Sequence, residues 1–326
     1  MGTLGGVPLR PRSLRRAPVV PIAEPAEPSP IPEQVWQRVP IDALVDLVTE
    51  ILTAHDLPWS RARMAAEAVC HGDLTGTPES GVAELTRLHL PMLVNGMVRP
   101  RAEPLMIADR GAAALIDYRR APGLWAVGDA MDRAVTRAGR YGVGLMSVRG
   151  VGPFGRAGHH AARALPHTMI GLVMAAGGEH GTAANPLGMA APAGAYPEFV
   201  LDLDTLADTA GAASASIAGF SLLVEIFAGV LSGVGDHDHD TGLMVMAIAP
   251  TTLRSAEGFY KAASALFGSL LGWDGGTPVR YPGWREAQYL EQCQALGVPL
   301  NEQVHRELED LAKALRLAPL QGREHA

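Results

Sequence analysis

Apolar residues recur along this chain with two periods, and the switches between them predict its elements. Ile41, Leu44, Val45, Val48, Ile51 and Leu52 fall at helical spacing, which predicts an amphipathic helix over 40–57. Pro58 follows its end, and Ser60 is placed to cap a second helix over 61–71. Residues 106–116 read as a β-hairpin. Leu124, Val127, Met131, Ala134, Val135 and Ala138 form one face of a helix over 122–138, with Gly139 at its C-terminal end. The apolar run 143–148 then reads as a buried strand. A glycine-rich turn follows it, then a helix over 157–165 and a second strand over 169–175. Further strands are predicted around 189–191 and at 199–202. Residues 220–231 are apolar apart from Glu225, so they predict a buried helix. A strand over 243–249 and helices over 256–271, 284–296 and 301–315 complete the chain. In the last, Val304, Leu308, Leu311 and Leu315 form a stripe, and Asn301 is the cap.

Composition narrows the class. At 326 residues the chain can bury a large core and hold two domains. With 48% hydrophobic and 19% charged residues it has an ordinary globular composition. A net charge of -7 gives no electrostatic footprint for nucleic acid. No apolar run reaches the ~18 residues of a membrane span, so a cytoplasmic protein is expected. Cys70 and Cys293 cannot build a disulfide framework and read as buried thiols. The first 34 residues carry Pro8, Pro11, Pro18, Pro21, Pro25, Pro28, Pro30 and Pro32, which favours an extended, disordered tail over packed structure.

The turn Gly150-Val151-Gly152-Pro153-Phe154-Gly155 contains G-x-G-x-x-G between a predicted strand and a predicted helix. That is the dinucleotide fingerprint, and Glu179 stands near the end of the next strand, where an acidic residue can hold a ribose. Pro153 removes one N–H from that turn, and a chain with 37 glycines gives chance matches. The other reading is a tight turn that needs glycine. Asp236-His237-Asp238-His239-Asp240 alternates carboxylates and imidazoles, as a divalent-metal site can. Gly233, Gly235 and Gly242 flank the run, and the expectation is a solvated loop with no metal.

Together these segments resemble the malate/L-lactate dehydrogenase family, which includes the ureidoglycolate and sulfolactate dehydrogenases and piperideine-carboxylate reductase. Gly152-Pro153-Phe154-Gly155 and Ala157-Gly158-His159-His160 align with that family's Asn-His-Phe-Gly and Ala-Gly-Tyr-Tyr. Asn185-Pro186, Val200-Leu201-Asp202, the segment 223–233, Tyr281-Pro282-Gly283 and 297–300 also match in order. The resemblance covers roughly residues 36 to 318. It implies an α/β fold with a mixed, non-Rossmann sheet, flanking helices and helical N- and C-terminal parts. It also implies residues 35–120 with 275–320 as a helical, dimerising substrate domain, 121–274 as the cofactor domain, NAD(P) as cofactor, and a homodimer. Gly152, Phe154, Gly155, Asn185 and Thr205 become the cofactor-binding candidates.

The chain departs from the family where chemistry is expected. The family's Ser-His-Gly-Val-x-Arg-Leu corresponds to Glu79-Ser80-Gly81-Val82-Ala83-Glu84-Leu85. Ser80 thus replaces the proton-exchanging histidine, and Glu84 the arginine. Serine at its ordinary pKa cannot do a histidine's acid–base work, and glutamate repels a substrate carboxylate. No histidine lies between His71 and His89. Ser216 replaces a family lysine, and the segment after Thr205 is shortened. The catalytic candidates are therefore Asp202, His159 and His160, with Ser80 and Glu84 as replacements. The first expectation is a family member that has lost standard hydride transfer and acts on a small molecule by a non-redox step. The second is an NAD(P)H-dependent reductase of a 2-oxo acid or cyclic imine with His159 or His160 as new proton donor. The third is a silent subunit that binds a partner protein.

Overall fold

A computed structural model describes residues 37–176, 185–203, 215–233, 241–272 and 278–320. The proline-rich tail, Glu179, Thr205 and the run Asp236 to Asp240 lie outside the described residues, as does the side chain of Ser216.

The chain enters through β1 (Gln37–Val39), α1 (Ile41–Ala54) and α2 (Trp59–Thr75). The apolar stripe of α1 is buried as its spacing predicts, with Leu44, Val48, Ile51 and Leu52 all enclosed. Ser60 does not cap α2. Pro58 occupies the cap position and Ser60 lies in the first turn, because a proline already fixes the extended entry there. A short 3₁₀ turn (Pro78–Ser80), a π-helical turn (Leu85–His89) and α3 (Leu90–Val94) lead to the hairpin β2 (Leu105–Arg110) and β3 (Ala113–Ala121). Helix α4 (Gly123–Tyr141) runs past Gly139 and ends at Gly142, which adopts φ +84°. Gly142, not Gly139, is the residue whose backbone suits a left-handed cap.

Next come β4 (Val143–Val151), α5 (Ala157–Ala162), β5 (Ile170–Ala176), β6 (Leu187–Ala191) and β7 (Phe199–Leu203). The chain ends with α6 (Ala215–Val224), β8 (Thr241–Ile248), α7 (Ala256–Leu270), α8 (Trp284–Leu296), β9 (Val298–Leu300) and α9 (Glu302–Leu315). Asn301 Oδ1 accepts the Val304 N–H at 2.8 Å, the expected cap of α9. Strands β1 and β9 pair antiparallel, so the segment just before α9 returns to the start of the described chain.

The main sheet has the order β2-β3-β4-β8-β5-β6-β7. Only β3 and β4 pair in parallel; the other neighbours are antiparallel. Strand β8 lies between β4 and β5, which excludes a Rossmann arrangement for the strand–turn–helix–strand segment. The sheet is mixed, as expected from the resemblance. Helices α4 and α5 cover one face, and α1 and α2 pack outside α4. Leu124, Val127 and Met131 of α4 are buried against Met146, Val148 and Val245 in one continuous core. Each such side chain contributes about 1.5–3 kcal/mol by leaving water.

The expectation of a buried helix over 220–231 is corrected. Val224, Ala228 and Gly229 are buried, but Leu222 is 61% exposed, Val230 72%, and Phe220, Leu223, Ile226, Phe227 and Leu231 are exposed too. The segment is apolar all round, yet only the side facing β5 and β8 packs. Its second half, Glu225–Val230, is π-helical. Among the described residues no helix is long and apolar enough to cross a membrane.

Candidate functional site

The site is assembled where the C-terminal end of α2 meets the N-terminal end of α5. Buried Asp73 organises the first side. Its Oδ2 accepts the Val82 N–H at 2.6 Å, which folds residues 78–82 back over the helix end. Gly72 and Gly81 make this possible: a Cβ on Gly72 would lie 2.5 Å from Ser80 O, and one on Gly81 2.2 Å from Asp73 Oδ2. Burial pushes the Asp73 carboxyl up to about 7, with Glu79 adding to the rise and the Val82 N–H opposing it. The Ser80 backbone is thereby pressed onto Gly72, immediately after His71. Glu84 stands farther along, at the start of the π-helical turn.

The second side comes from the glycine turn and α5. His160 is 1% exposed, and its Nε2 lies 2.8 Å from Phe154 O. That contact makes Nε2 the protonated, donating nitrogen and ties the helix to the turn. Gly155 takes φ +73°. The Gly152 N–H donates to Ala121 O at 2.9 Å, and Phe154 is buried. The turn therefore acts as a packing joint whose Gly152 N–H and Phe154 carbonyl are engaged internally.

His159 faces the other way. Its ring centroid lies 4.8 Å from that of His71 and 5.1 Å from that of His160. His159 Nε2 is enclosed and has no hydrogen-bond partner. His71 is the residue that the sequence reading missed. It sits nine positions before Ser80, outside the segment where the resemblance seeks a histidine, and the Ser80 backbone packs on Gly72, its neighbour in the chain. Burial lowers all three imidazoles. His71 and His160 fall to about 4 and His159 further, with the charge of Arg156 contributing at His71 and that of Arg163 at His159 and His160. All three are neutral near pH 7.

Asp202, at the end of β7, faces this group through Arg156. Arg156 Nε donates to Asp202 Oδ2 at 2.9 Å, with the side chains 12% and 11% exposed. Gly158 leaves room for the carboxylate, since a Cβ there would lie 2.8 Å from Asp202 Oδ2. The structure thus gathers His71, His159, His160, Arg156, Asp202 and the Ser80 backbone.

Asn185 is fully buried beside α6. Its Nδ2 donates to Ser221 O at 3.1 Å, and its Oδ1 has no partner among the described residues. An orphaned buried acceptor fits a donor of a bound nucleotide, such as a carboxamide or ribose hydroxyl. Among the described residues no group of three His, Cys, Asp or Glu side chains is placed to hold a metal ion.

Comparison with known proteins bears on the whole chain. The malate/L-lactate dehydrogenase family profile matches residues 39–215 and 217–309. The malate dehydrogenase of Pyrococcus abyssi is 30% identical over 183 residues, 53% of this chain and 50% of that protein. The L-sulfolactate dehydrogenase of Methanothermobacter thermautotrophicus is 28% identical over 138 residues, 42% of this chain and 40% of that protein. The chain spans about half the length of the curated relatives it matches or less. The fold matches that of malate dehydrogenase from Pyrococcus horikoshii with a TM-score of 0.74 at 23% identity, covering 87% of this chain and 97% of that one. With the profile running through both sides of the histidine and arginine cluster, the chain belongs to the malate/L-lactate dehydrogenase family of oxidoreductases.

Proposed function

We propose that this protein is an NAD(P)-dependent oxidoreductase that interconverts a small 2-hydroxy carboxylate and its 2-oxo counterpart, or reduces the related cyclic imine. One observation carries the reading. The two roles that Ser80 and Glu84 cannot fill, proton exchange and attraction of a carboxylate, have candidates in the His71–His159 ring pair and in Arg156, which is held by Asp202.

The proton chemistry follows from the neutral imidazoles. A neutral imidazole accepts the hydroxyl proton during oxidation and, once protonated, returns it to the carbonyl or imine during reduction. Arg156 attracts the substrate carboxylate into the cluster, and Asp202 holds Arg156 in position. Asn185 would hold the nicotinamide nucleotide through its Oδ1; when bound, that nucleotide supplies or takes the hydride. The enclosed setting of the imidazoles keeps water from competing for the proton.

The test is titration of the purified protein with NADH and NADPH, followed by nucleotide fluorescence, and then an absorbance screen of 2-oxo acids and cyclic imines. Saturable micromolar binding with stoichiometric nucleotide oxidation supports the reading. No binding up to millimolar nucleotide overturns it.

The non-redox reading draws on the engaged glycine turn and on Ser80 standing where the family has histidine. Proton exchange into a bound hydroxy acid without nucleotide would support it. The silent-subunit reading draws on the exposed apolar residues of α6. A homodimer that turns over a small molecule alone would refute that reading.

A further inference from the structure

We infer that His71 is the residue that exchanges the proton with substrate, in place of the absent histidine at Ser80, and that the substrate's own negative charge brings it into play. This rests on the reading of the site as one for hydroxy and oxo carboxylates.

Geometry separates the three histidines. His160 is wholly buried with Nε2 committed to Phe154 O, so its proton is structural. His159 lies between its two neighbours, with Nε2 enclosed. His71 packs its ring on His159, is partly exposed as His159 is, and has no ring nitrogen among the enclosed, unpartnered polar atoms. It is also the histidine next in the chain to Gly72, the residue on which the Ser80 backbone packs.

The charges around His71 explain the second half of the inference. Facing it are Arg156 from the turn before α5, and His159 and His160 from α5, with Asp202 of β7 beyond Arg156. The positive charge of Arg156 disfavours an imidazolium at His71. A carboxylate arriving beside Arg156 offsets that charge and favours protonation. His159 cannot be protonated at the same time without repulsion, so the two rings share one proton between them. In oxidation the substrate O–H bond breaks as an N–H bond forms on His71, and its bonding pair forms the second C–O bond; the hydride leaving that carbon would go to the nicotinamide nucleotide. In reduction the same proton returns to the oxygen.

The experiment uses the full chain and oxalate as a dicarboxylate probe, with no nucleotide present. Calorimetry at pH 6 in buffers of different ionisation enthalpy reads the protons taken up per oxalate bound. The expected result is uptake of about one proton in wild type and in His167→Gln, an exposed histidine away from the cluster, and loss of most uptake in His71→Gln. If His71→Gln does not fold, the His71 imidazole resonance in the wild type, identified by its proximity to His159, should shift toward the protonated form as oxalate binds. Absence of oxalate binding, binding without proton uptake, or full uptake in His71→Gln overturns the inference. Turnover separates it from the reading beneath it. If nucleotide-linked turnover exists and His71→Gln lowers kcat by about 100- to 10,000-fold, both stand. If turnover persists unchanged in His71→Gln, His71 falls and the oxidoreductase reading stands. If no turnover is found yet proton uptake depends on His71, the oxidoreductase reading falls and the proton-exchanging role stands.

Discussion

Arg156 Nε lies 2.9 Å from Asp202 Oδ2, and this pair joins the turn before α5 to the end of β7 in a nearly enclosed setting. The sequence names Asp202 as a catalytic candidate but gives it no partner. In the structure its partner is a cation 46 positions earlier. Removing one member of such a pair leaves a charge in a poorly solvated place. Arg156→Met is therefore expected to lower stability by about 3–5 kcal/mol. The Arg156→Met, Asp202→Leu double variant should recover part of that loss. Urea unfolding of the two variants and wild type measures both values; additive losses would show that the pair is not coupled.

His160 and Phe154 make a second, purely structural bond. His160→Leu leaves the Phe154 carbonyl without its donor in a buried place and should cost about 1–3 kcal/mol. His160→Gln can place a donor near the same carbonyl and should cost less. Thermal unfolding ranks the two; equal losses would mean that ring packing, not the hydrogen bond, sets the value.

Stability should vary with pH in two opposed ways. His71, His89 and His160 are held at about 4 in the fold, below the ordinary 6.5, chiefly by burial. Between pH 6.5 and 4 the unfolded chain binds more protons at these sites, so the histidine contribution falls as pH falls through that window. Asp73 acts the other way. Its folded value is about 7 against an ordinary 3.8, so the folded chain holds a proton that the unfolded chain has lost. Its contribution therefore falls as pH rises from about 4 to 7. Asp73→Asn keeps an oxygen for the Val82 N–H and removes this second trend. The variant should gain stability relative to wild type as pH rises from 4.5 to 8. Parallel curves for the two proteins over that range would show that Asp73 is charged throughout.

Gly188 of β6 marks where α5 rests on the sheet. A Cβ there would lie 2.2 Å from the carbonyl carbon of Ala157 and 2.3 Å from its oxygen. Backbone cannot rotate away as a side chain can, so Gly188→Ala must lift α5 and should destabilise by about 1–3 kcal/mol. Because α5 carries His159 and His160, turnover should fall along with the melting temperature. Unchanged turnover in a destabilised variant would mean that the cluster tolerates movement of α5.

A last expectation concerns His89. Its Nε2 has no partner, and its ring lines an apolar cavity with Leu52, Leu57, Leu93 and Leu124 that has room for about one water molecule. His89→Leu should be neutral or stabilising by about 1 kcal/mol and should make the acid loss of stability shallower. A large loss of stability at neutral pH would show that an ordered water satisfies the imidazole.

Much of the fold was legible in the sequence because it depends on local periodicity. The stripes of α1 and α4, the hairpin, the strands β4, β5 and β8, and the Asn301 cap each follow from spacing within about a dozen residues. Periodicity failed at 220–231 for a physical reason. An apolar segment reports what could be buried, while neighbouring elements decide what is buried, and only the side of α6 facing β5 and β8 meets any. The caps of α2 and α4 missed by a few residues because proline at an entry and a left-handed glycine at an exit overrule the nearest polar or glycine candidate.

The site divides the same way. By itself, the sequence determined the family and pointed to the mixed sheet, and its resemblance set Ser80 and Glu84 where a histidine and an arginine are expected. Those are matters of residue identity along the chain. Tertiary structure alone decided that β8 inserts between β4 and β5, that the glycine turn is a packing joint, and that Arg156 faces Asp202. It also brought His71 against His159 and packed the Ser80 backbone onto Gly72. Proximity between residues far apart in sequence is set by how helices and strands pack, and one-dimensional spacing carries no record of it.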